Sequence, residues 1–341
     1  MKRISPELLF ANIDVPNRIE IRSECDFYGA SRVISDAIDG FQPEMLRGFW
    51  YHGWQYNSPE FLELYRWHKA PASWPLLVHR ESEQLAMFKL GATSAKAIGA
   101  PILYCEDIKV SKFPNSLLIM PFHSLDYVTF EYAESDYFQC LDSVIGDFDV
   151  VAACIHPSCL SSGRWISDLR KRQIPYIIGA EAHDENGLRR MKQLLSRFTH
   201  VTSNWIGSHI AYAALCGAAP SIYGPRPFFK REEFEHDPYY IEHPHILEWW
   251  LSVENGNHVG REYGFLFREP HIADQCVNWA RSQLGYENML SHNEVASLLM
   301  CEEERDTRNS GRKDGAPSLI TRSFQFCKTL LDAANKRHAN K

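Results

Sequence analysis

The stretch that decides the fold reads TSNWIGSHI and spans residues 202–210. It follows a short β-like run that begins at Thr199, and it leads into an apolar, helix-like run over residues 210–217. A strand, a loop of small residues and a helix point backbone N–H groups at an anion, because the first N–H groups of a helix are unpaired and carry the positive end of its dipole. An ordinary turn with a serine N-cap has the same layout, so the stretch alone leaves both interpretations open.

The segments on either side of this stretch predict a parallel sheet. Short apolar runs, which we predict to be strands, cover residues 116–122, 150–155, 175–179, 199–202 and 221–223. Helix-like segments such as 160–171 and 187–198 separate them. Continuous apolar strands that alternate with helices are typical of an α/β sheet covered on both faces, and ligands of such sheets bind beyond the carboxyl ends of the strands.

The first 115 residues are less regular and rich in aromatic side chains. We predict strands at 76–79 and 100–104, and between them a helix over 81–98 whose apolar face carries Leu85, Phe88 and Leu90. A chain of 341 residues is long enough for two domains, because single cores seldom grow past about 250–300 residues. We place the first domain at 1–115 and the second at 116–300.

The composition is that of a soluble globular protein. Hydrophobic residues make up 45% of the chain, and the formal net charge of −7 argues against nucleic-acid binding, which needs a basic face. The nine cysteines form no CxxC pair, which is typical of reduced thiols in the cytosol. No run approaches the roughly 18–20 apolar residues of a membrane span, and the amino terminus lacks the apolar core of a signal peptide. We therefore predict a cytoplasmic protein, at most peripheral at the inner face of the plasma membrane.

Mostly polar residues follow four of the predicted strands. They are His123 and Ser124 after the first strand, His156 and Pro157 after the second, Glu181 and Asp184 after the third, and Ser203, Asn204, Gly207 and Ser208 after the fourth. A single histidine at a strand end is most often a hydrogen-bonded structural residue, but four polar ends at one edge of a parallel sheet favour a binding site. Hydroxyls, amides and histidines at a helix start suit a nucleotide phosphate, and Glu181 or Asp184 would take a ribose hydroxyl.

We predict no metal and no bound cofactor. The chain contains no HExxH motif, and its strand-end histidines accompany hydroxyls rather than paired carboxylates. A cation site at His183 and Asp184 stays open as an alternative. Neither the GxGxxG motif nor the P-loop motif occurs, which disfavours a dinucleotide oxidoreductase or a P-loop kinase.

A second candidate is His52, in the aromatic loop WYHGW at residues 50–54. A histidine beside glycine in a loop is accessible and titrates near neutral pH, so it would accept the proton of an attacking hydroxyl as a general base. We predict His52 and Glu181 as the catalytic residues. The alternative is a structural histidine packed on tryptophan, and the aromatic neighbours belong either to the core or to a stacking surface for an acceptor sugar.

Taken together, these residues resemble the GT-B glycosyltransferases. Trp50-Tyr51-His52-Gly53 is similar to the Trp-His-Gly segment of the polyglycerol-phosphate polymerases of teichoic acid synthesis, whose histidine is the proposed base. His156-Pro157 and the loop 202–208 are similar to the His-Pro and Ser motifs by which bacterial sialyltransferases and Kdo transferases hold CMP. The segment 203–224 also resembles donor loops in proteins from surface-polysaccharide gene clusters.

The resemblance implies two Rossmann-like domains that face a cleft, with an acceptor-side domain at 1–115 and a nucleotide-binding domain at 116–300. Residues 301–317 predict a charged linker, and residues 318–341 predict an amphipathic helix with a basic tail. This C-terminal helix would pack back across the domains, with its basic end near an anionic membrane.

The implied activity is metal-independent transfer of a sugar from a CMP-, UDP- or GDP-sugar to a glycan or lipid-linked acceptor, as in bacterial lipopolysaccharide or capsule synthesis. The donor phosphate would lie on Ser203, Asn204, Gly207 and Ser208, with the strand-end histidines assisting and with His52 across the cleft. Two other classes stay open. One is a GT-B-shaped sugar-nucleotide epimerase or hydrolase, and the other is a non-catalytic scaffold of a polysaccharide assembly complex.

Overall fold

A computed structural model of the chain describes residues 5–39, 41–43, 46–65, 74–123 and 134–300. Ser124, the predicted linker at 301–317 and the predicted C-terminal helix at 318–341 lie outside the described residues. The described residues belong to one compact unit, and seven cysteines within them are free thiols.

The strands are short and form two parallel sheets. They are β1 (Phe49–Trp50), β2 (Leu76–Val78), β3 (Ala95–Ala97), β4 (Ser116–Ile119), β5 (Val150–Ile155), β6 (Tyr176–Ile178), β7 (His200–Ser203) and β8 (Ala219–Ile222). The smaller sheet has the order β1-β2-β3, and the larger sheet has the order β6-β5-β4-β7-β8. Every neighbouring pair runs parallel, which confirms the predicted α/β class, and the strand order is compatible with a Rossmann-like fold.

The helices are short, and several of them connect the strands. They are α1 (Pro6–Leu9), α2 (Ala30–Ser35), α3 (Glu81–Lys89), α4 (Glu134–Asp142), α5 (Pro157–Ser162), α6 (Ile166–Lys171), α7 (Gly187–Leu195), α8 (Ser208–Leu215), α9 (Pro238–Glu242), α10 (Pro244–Glu254), α11 (His258–Glu262), α12 (Val277–Gln283) and α13 (His292–Leu299). The helix predicted over 160–171 is divided into α5 and α6 at Gly163, which has a φ of 74°. A left-handed glycine commonly ends a helix, because it has no Cβ to clash in that conformation.

The larger sheet consists mostly of buried strands, and its strand order reverses at β4. All six residues of β5 are buried, as expected for the run Val-Val-Ala-Ala-Cys-Ile. β5 and β6 lie on one side of β4, and β7 and β8 lie on the other. Ligands of open parallel sheets bind outside the carboxyl ends at such a reversal, so the residues that follow β4 and β7 are where a site is expected.

Two predictions in the first 115 residues are wrong. The strand predicted at 100–104 is a 3₁₀ turn over Pro101–Tyr104. Pro101 has no N–H for a strand ladder, and Gly99 before it has a φ of 82°. The helix predicted over 81–98 ends at Lys89, and the end of that segment forms β3 instead.

The apolar face predicted for α3 is also wrong. Leu85 and Phe88 are 53% and 42% exposed, whereas Glu83 is buried. The Glu83 carboxylate accepts the backbone N–H groups of His79 and Arg80, and it pairs with the Arg80 guanidinium at 2.8 Å. Capping of the helix start therefore outweighs the apolar pattern at this helix.

One hydrophobic cluster connects the two sheets. It contains Trp50 and Leu77 from the smaller sheet, and Leu118 and Val201 from the larger sheet. The predicted domain boundary at residue 115 falls between β3 and β4, so it separates the two sheets along the chain. Their core residues nevertheless pack together, and this packing brings the ends of the two sheets close to each other.

Candidate functional site

The loop after β1 contacts the start of α8. The Trp54 N–H donates a 2.8 Å hydrogen bond to Ser208 Oγ, and the Tyr212 hydroxyl donates one to the His52 carbonyl. A Cβ atom on Gly53 would lie 3.0 Å from Ser208 Oγ, so glycine permits this close approach. The loop that carries the predicted base and the loop predicted to bind phosphate are therefore in direct contact.

The start of α8 keeps its hydrogen-bond donors available. The backbone N–H groups of Gly207, Ser208 and His209 donate to no acceptor in the described part of the chain. Because Ser208 Oγ accepts the Trp54 N–H, the hydrogen of the Ser208 hydroxyl is available for a further acceptor. Three consecutive N–H groups and one hydroxyl at a helix N-terminus are the donors that an anion site requires.

Ser203 and Asn204, also predicted to hold the phosphate, are fully buried instead. Asn204 Oδ1 accepts the Phe122 N–H at 2.9 Å, and Asn204 Nδ2 donates to the Pro225 carbonyl at 3.2 Å. Ser203 Oγ accepts the Trp205 N–H at 3.4 Å. These side chains therefore hold the loop in shape and present no surface to a ligand, which leaves the donors of residues 207–209 for direct contact.

The buried side chain of Glu254 holds the loop between β7 and α8 in place. Trp205 Nε1 donates to Glu254 Oε2 at 2.7 Å, and the Tyr56 hydroxyl donates to the other oxygen of Glu254. Burial raises the pKa of Glu254, although both hydrogen bonds act in the opposite direction. The Arg226 guanidinium lies 5.4 Å from the Trp205 ring. The loop between β7 and α8 is thus held on several sides before any ligand binds.

His123 and His156 form a stacked pair beyond β4 and β5. Their ring centroids are 3.8 Å apart, and His156 Nδ1 accepts the Ser158 N–H at 3.2 Å, so neutral His156 carries its proton on Nε2. Burial lowers the pKa of His156 to about 4, and burial, His156 and His209 lower the pKa of His123 well below its ordinary value. At pH 7 these rings offer N–H donors rather than positive charge. Pro157 is the first residue of α5 and has no donor.

His209 belongs to the same group of histidines, although sequence reasoning assigned it no role. Its Nε2 atom is buried without a hydrogen-bond partner, and burial lowers its pKa to about 4. A Cβ atom on Gly207 would lie 3.0 Å from the His209 ring, so the ring folds back over the start of α8. His209 lies inside the stretch that predicted the anion site. The direction of its ring follows from the backbone geometry at the start of α8, which the sequence does not show.

His52 lies among aromatic rings and is largely shielded from water. The ring centroids of Phe27, Tyr28 and Tyr51 lie 5.2, 4.9 and 5.8 Å from its own. Its Nδ1 atom is buried without a partner, and burial, together with His79, lowers its pKa to about 4. His52 therefore does not titrate near neutrality in the unliganded protein. At pH 7 it is neutral and able to accept a proton.

Two of the three aromatic residues beside His52 in the loop 50–54 belong to the core. Trp50 is fully buried and donates to the Gly99 carbonyl at 3.0 Å, and Trp54 is 3% exposed and donates to Gln283 Oε1 at 3.2 Å. Tyr51 is partly exposed and lies parallel to the His52 ring. A stacking surface for a sugar therefore does not include either tryptophan.

The two acidic candidates differ in how they are paired. Asp184 is fully buried, pairs with Arg190 at 3.1 Å and accepts the Asn17 N–H at 3.0 Å. It anchors the N-terminal segment to the start of α7 and has no surface for a ribose hydroxyl. Glu181 pairs with the exposed Arg18 at 3.0 Å and remains partly exposed. Of the two residues expected to take the ribose, Glu181 alone is accessible.

We call the residues His52, His123, His156, Ser208 and His209 the strand-end cluster. In the described ranges, no three His, Cys, Asp or Glu side chains are grouped as ligands for a metal ion. The alternative cation site is not assembled, because the His183 ring lies against the Ile19 carbonyl and Asp184 pairs with Arg190. An Asp-x-Asp sequence at 147–149 precedes β5 and lies at the opposite edge of the sheet.

Two further features of the described residues concern ligands and membranes. A cavity of about 520 Å³ is lined by residues of α2, α7 and the C-terminal end of α8, and it shares no lining residue with the strand-end cluster. None of the helices in the described ranges has both the length and the apolar character needed to cross a bilayer.

Comparison with protein-family models, curated proteins and solved structures finds no match to this chain. The fold defines an α/β protein with two parallel sheets, compatible with a Rossmann-like arrangement. The loop after β1 contacts the start of α8, and the histidines that follow β4 and β5 stack on each other. A function for the strand-end cluster must therefore follow from the geometry and chemistry of its own residues.

Proposed function

We propose that this chain is a glycosyltransferase of GT-B type, which moves a sugar from a nucleotide-activated donor to a glycan or lipid-linked acceptor. The observation that carries the proposal is the contact between the His52 loop and the start of α8, through the hydrogen bond from Trp54 to Ser208. It brings the loop that carries His52, a group able to accept a proton, into contact with the helix start whose donors suit a phosphate. These are the two functions that sugar transfer from a nucleotide requires.

The donor phosphate lies, in this proposal, on the N–H groups of residues 207–209. These groups and the Ser208 hydroxyl have no other acceptor in the described part of the chain. The Nε2–H group of neutral His156 is a further donor, because its Nδ1 atom is engaged by Ser158. Donors fixed before the reaction stabilise the negative charge that develops on the departing phosphate.

His52 serves as the base. The acceptor hydroxyl gives its proton to His52 while its oxygen forms a bond to the anomeric carbon of the sugar. The bond between that carbon and the phosphate oxygen breaks, and the phosphate keeps the electron pair. With a pKa of about 4, His52 is a weak base in the empty site, but an anion bound at Ser208 favours the protonated ring and raises that pKa. Donor binding therefore activates the base.

Glu181 is the second candidate catalytic group and the accessible candidate for the ribose, and either role requires that its ion pair with Arg18 opens. Because that ion pair is solvent-exposed, opening it costs little, about 1 kcal/mol or less.

In this proposal the acceptor belongs to bacterial surface polysaccharide synthesis, and the sugar transfer takes place in the cytoplasm or at the inner face of the plasma membrane.

The test is nucleotide binding by thermal shift with CMP, CDP, UDP and GDP. At one hundred times its Kd, the correct nucleotide should raise the Tm by about 2–4 °C. Gly207→Asp places a carboxylate against the phosphate and should abolish the shift. Gly207→Ala adds the same Cβ without the charge, and the φ of 174° at this position suits any residue. Because that Cβ lies 3.0 Å from the His209 ring in both variants, Gly207→Ala controls for the small displacement of the ring and should keep the nucleotide shift.

The outcomes separate the three classes of function. If none of the four nucleotides stabilises the wild type, the glycosyltransferase proposal is wrong, and the scaffold alternative gains support. If a nucleotide binds and its sugar donor is hydrolysed or epimerised without transfer to any acceptor, the epimerase or hydrolase alternative is favoured.

A further inference from the structure

Tyr28 adopts a backbone conformation that tyrosine rarely takes. Its φ is 55° and its ψ is 18°, within the kinked segment Glu24–Gly29, and Gly29 after it has a φ of 78°. A left-handed conformation costs a residue with a side chain roughly 1–2 kcal/mol, whereas glycine and asparagine take it readily. Residues held in such conformations concentrate at functional sites, so the direction of this side chain needs a reason.

The loop after β6 holds this turn in place. The Tyr28 N–H donates to the Ala182 carbonyl at 2.9 Å. A Cβ atom on Gly29 would lie 1.8 Å from the Glu185 carbonyl oxygen, and a Cβ atom on Gly187 would lie 3.1 Å from Tyr28 Cα. Backbone packing on two sides therefore determines where the Tyr28 side chain points.

The Tyr28 ring lies beside His52, and the charge of Glu181 acts on its hydroxyl. Its centroid is 4.9 Å from that of His52, and the two ring planes are tilted by 39°. Burial, and secondly the charge of Glu181, raise the pKa of Tyr28 to about 12, so its hydroxyl keeps its proton at neutral pH. The phenol is therefore a hydrogen-bond donor close to His52.

The Tyr28 hydroxyl differs from those of several other tyrosines. The hydroxyls of Tyr56, Tyr104, Tyr212 and Tyr263 all donate to protein oxygens. The Tyr28 hydroxyl forms no hydrogen bond with the described residues, and its side chain is partly exposed. The strained turn thus presents, on a partly exposed side chain beside His52, a donor that the described residues leave unused.

From this geometry we propose that Tyr28 binds the sugar substrate: its phenol hydroxyl donates a hydrogen bond to a hydroxyl or ring oxygen of the sugar held beside His52. The assignment rests on the glycosyl transfer proposed above. Sugars present such acceptor oxygens on every ring carbon that carries a hydroxyl. The rigid turn supplies the donor in a fixed direction, which spares the cost of ordering it on binding.

Tyr28→Phe tests the hydroxyl alone, because the ring and the backbone stay the same. We expect kcat/KM for transfer to fall about tenfold or more, as for the loss of one substrate hydrogen bond. The Tm shift with the free nucleotide should stay at the wild-type value, because in this proposal the Tyr28 hydroxyl contacts the sugar and the phosphate lies on residues 207–209. Tyr286→Phe removes a hydroxyl from a tyrosine that is 50% exposed and lies outside the strand-end cluster, and it should leave both quantities unchanged.

Tyr28→Asn is the second variant, chosen because asparagine adopts the left-handed conformation readily. It should fold, keep the nucleotide shift and lose transfer. If Tyr28→Phe transfers sugar with the kcat/KM of the wild type, the assignment of Tyr28 is overturned while the proposed function stands. If the wild type itself binds no nucleotide and transfers no sugar, both proposals fail, and the wild-type measurement distinguishes this case from the first.

Discussion

The polar residues at the strand ends fall into two groups with opposite surroundings. Asp184 and Asn204 are fully buried, and protein atoms satisfy them. His52 and His209 each keep a buried ring nitrogen without a partner. A satisfied buried group stabilises the fold, whereas an unsatisfied one lowers stability and indicates a role that the fold itself does not explain. Position at a strand end does not distinguish the two groups; hydrogen bonding does.

The largest expected effect is on turnover, from the unsatisfied group. His52→Gln removes the base and should lower kcat for transfer by about 10²–10⁴-fold, the usual contribution of a general base. The free energy of unfolding should change little, because no hydrogen bond of the side chain is lost. Steady-state kinetics and urea unfolding measure the two quantities, with the exposed His236→Gln as control. Turnover that survives in His52→Gln would mean that another group is the base.

The satisfied group should show the reverse pattern, with the largest loss of stability at Asp184. Asp184→Ala leaves the buried Arg190 without its carboxylate and should lower the free energy of unfolding by about 3–5 kcal/mol. Glu181→Gln breaks the exposed ion pair with Arg18 and should cost about 1 kcal/mol or less. Urea unfolding of both variants gives the comparison. Equal losses would contradict the structural role assigned to the buried pair of Asp184 and Arg190.

A smaller loss is expected at Asn204. Asn204→Ala leaves the Phe122 N–H and the Pro225 carbonyl without their partner, and it should lower the free energy of unfolding by about 2–4 kcal/mol. The exposed Asn293→Ala should change it by about 0.5 kcal/mol or less. If Asn204→Ala instead keeps full stability and loses nucleotide binding, Asn204 contacts the ligand, as the sequence alone suggested.

The smallest effect is a dependence of stability on pH. Burial lowers the pKa of His209 to about 4, so between pH 4 and 6.5 the unfolded chain binds a proton that the folded chain does not. Stability from this residue is therefore present above pH 6.5 and lost as the pH falls, by up to about 1.4 kcal/mol per pH unit.

Buried carboxyl groups change the stability with pH in the opposite direction to His209, because burial raises a carboxyl pKa, as at Glu24, where it rises to about 8. The test is therefore the difference between wild type and His209→Gln. Between pH 7 and pH 5 the wild type should lose about 1–2 kcal/mol more than the variant in urea unfolding. Parallel losses would mean that His209 is solvated in the folded protein.

The sequence alone predicted the larger sheet well. The run at 150–155 is six apolar residues between Asp149 and His156, and the observed strand has the same bounds. β4 and β5 are buried on both faces, so their apolar character is continuous and easy to recognise. The rule that ligands bind beyond the carboxyl ends predicts a site at the edge where the strand-end cluster lies, and that site stays a prediction.

The sequence did not show which polar residues the fold itself would use. Asn204 bonds with Phe122, which is 82 residues away, so its structural role exists only once β4 and β7 are paired. Tyr28 was missed for a different reason. Its direction depends on a left-handed φ, and no hydrophobic period marks a left-handed tyrosine. The glycine that follows it was the available signal.

The most direct test of the account is the pKa of His52 with and without nucleotide. Histidine-labelled protein gives the titration of each ring by NMR, and loss of one signal in His52→Gln assigns it. In the free protein the pKa should lie near 4. With a saturating nucleotide it should rise by about one unit or more, because a phosphate at the start of α8 favours the protonated ring. An unchanged pKa in the presence of bound nucleotide would contradict the proposal that the phosphate binds beside His52.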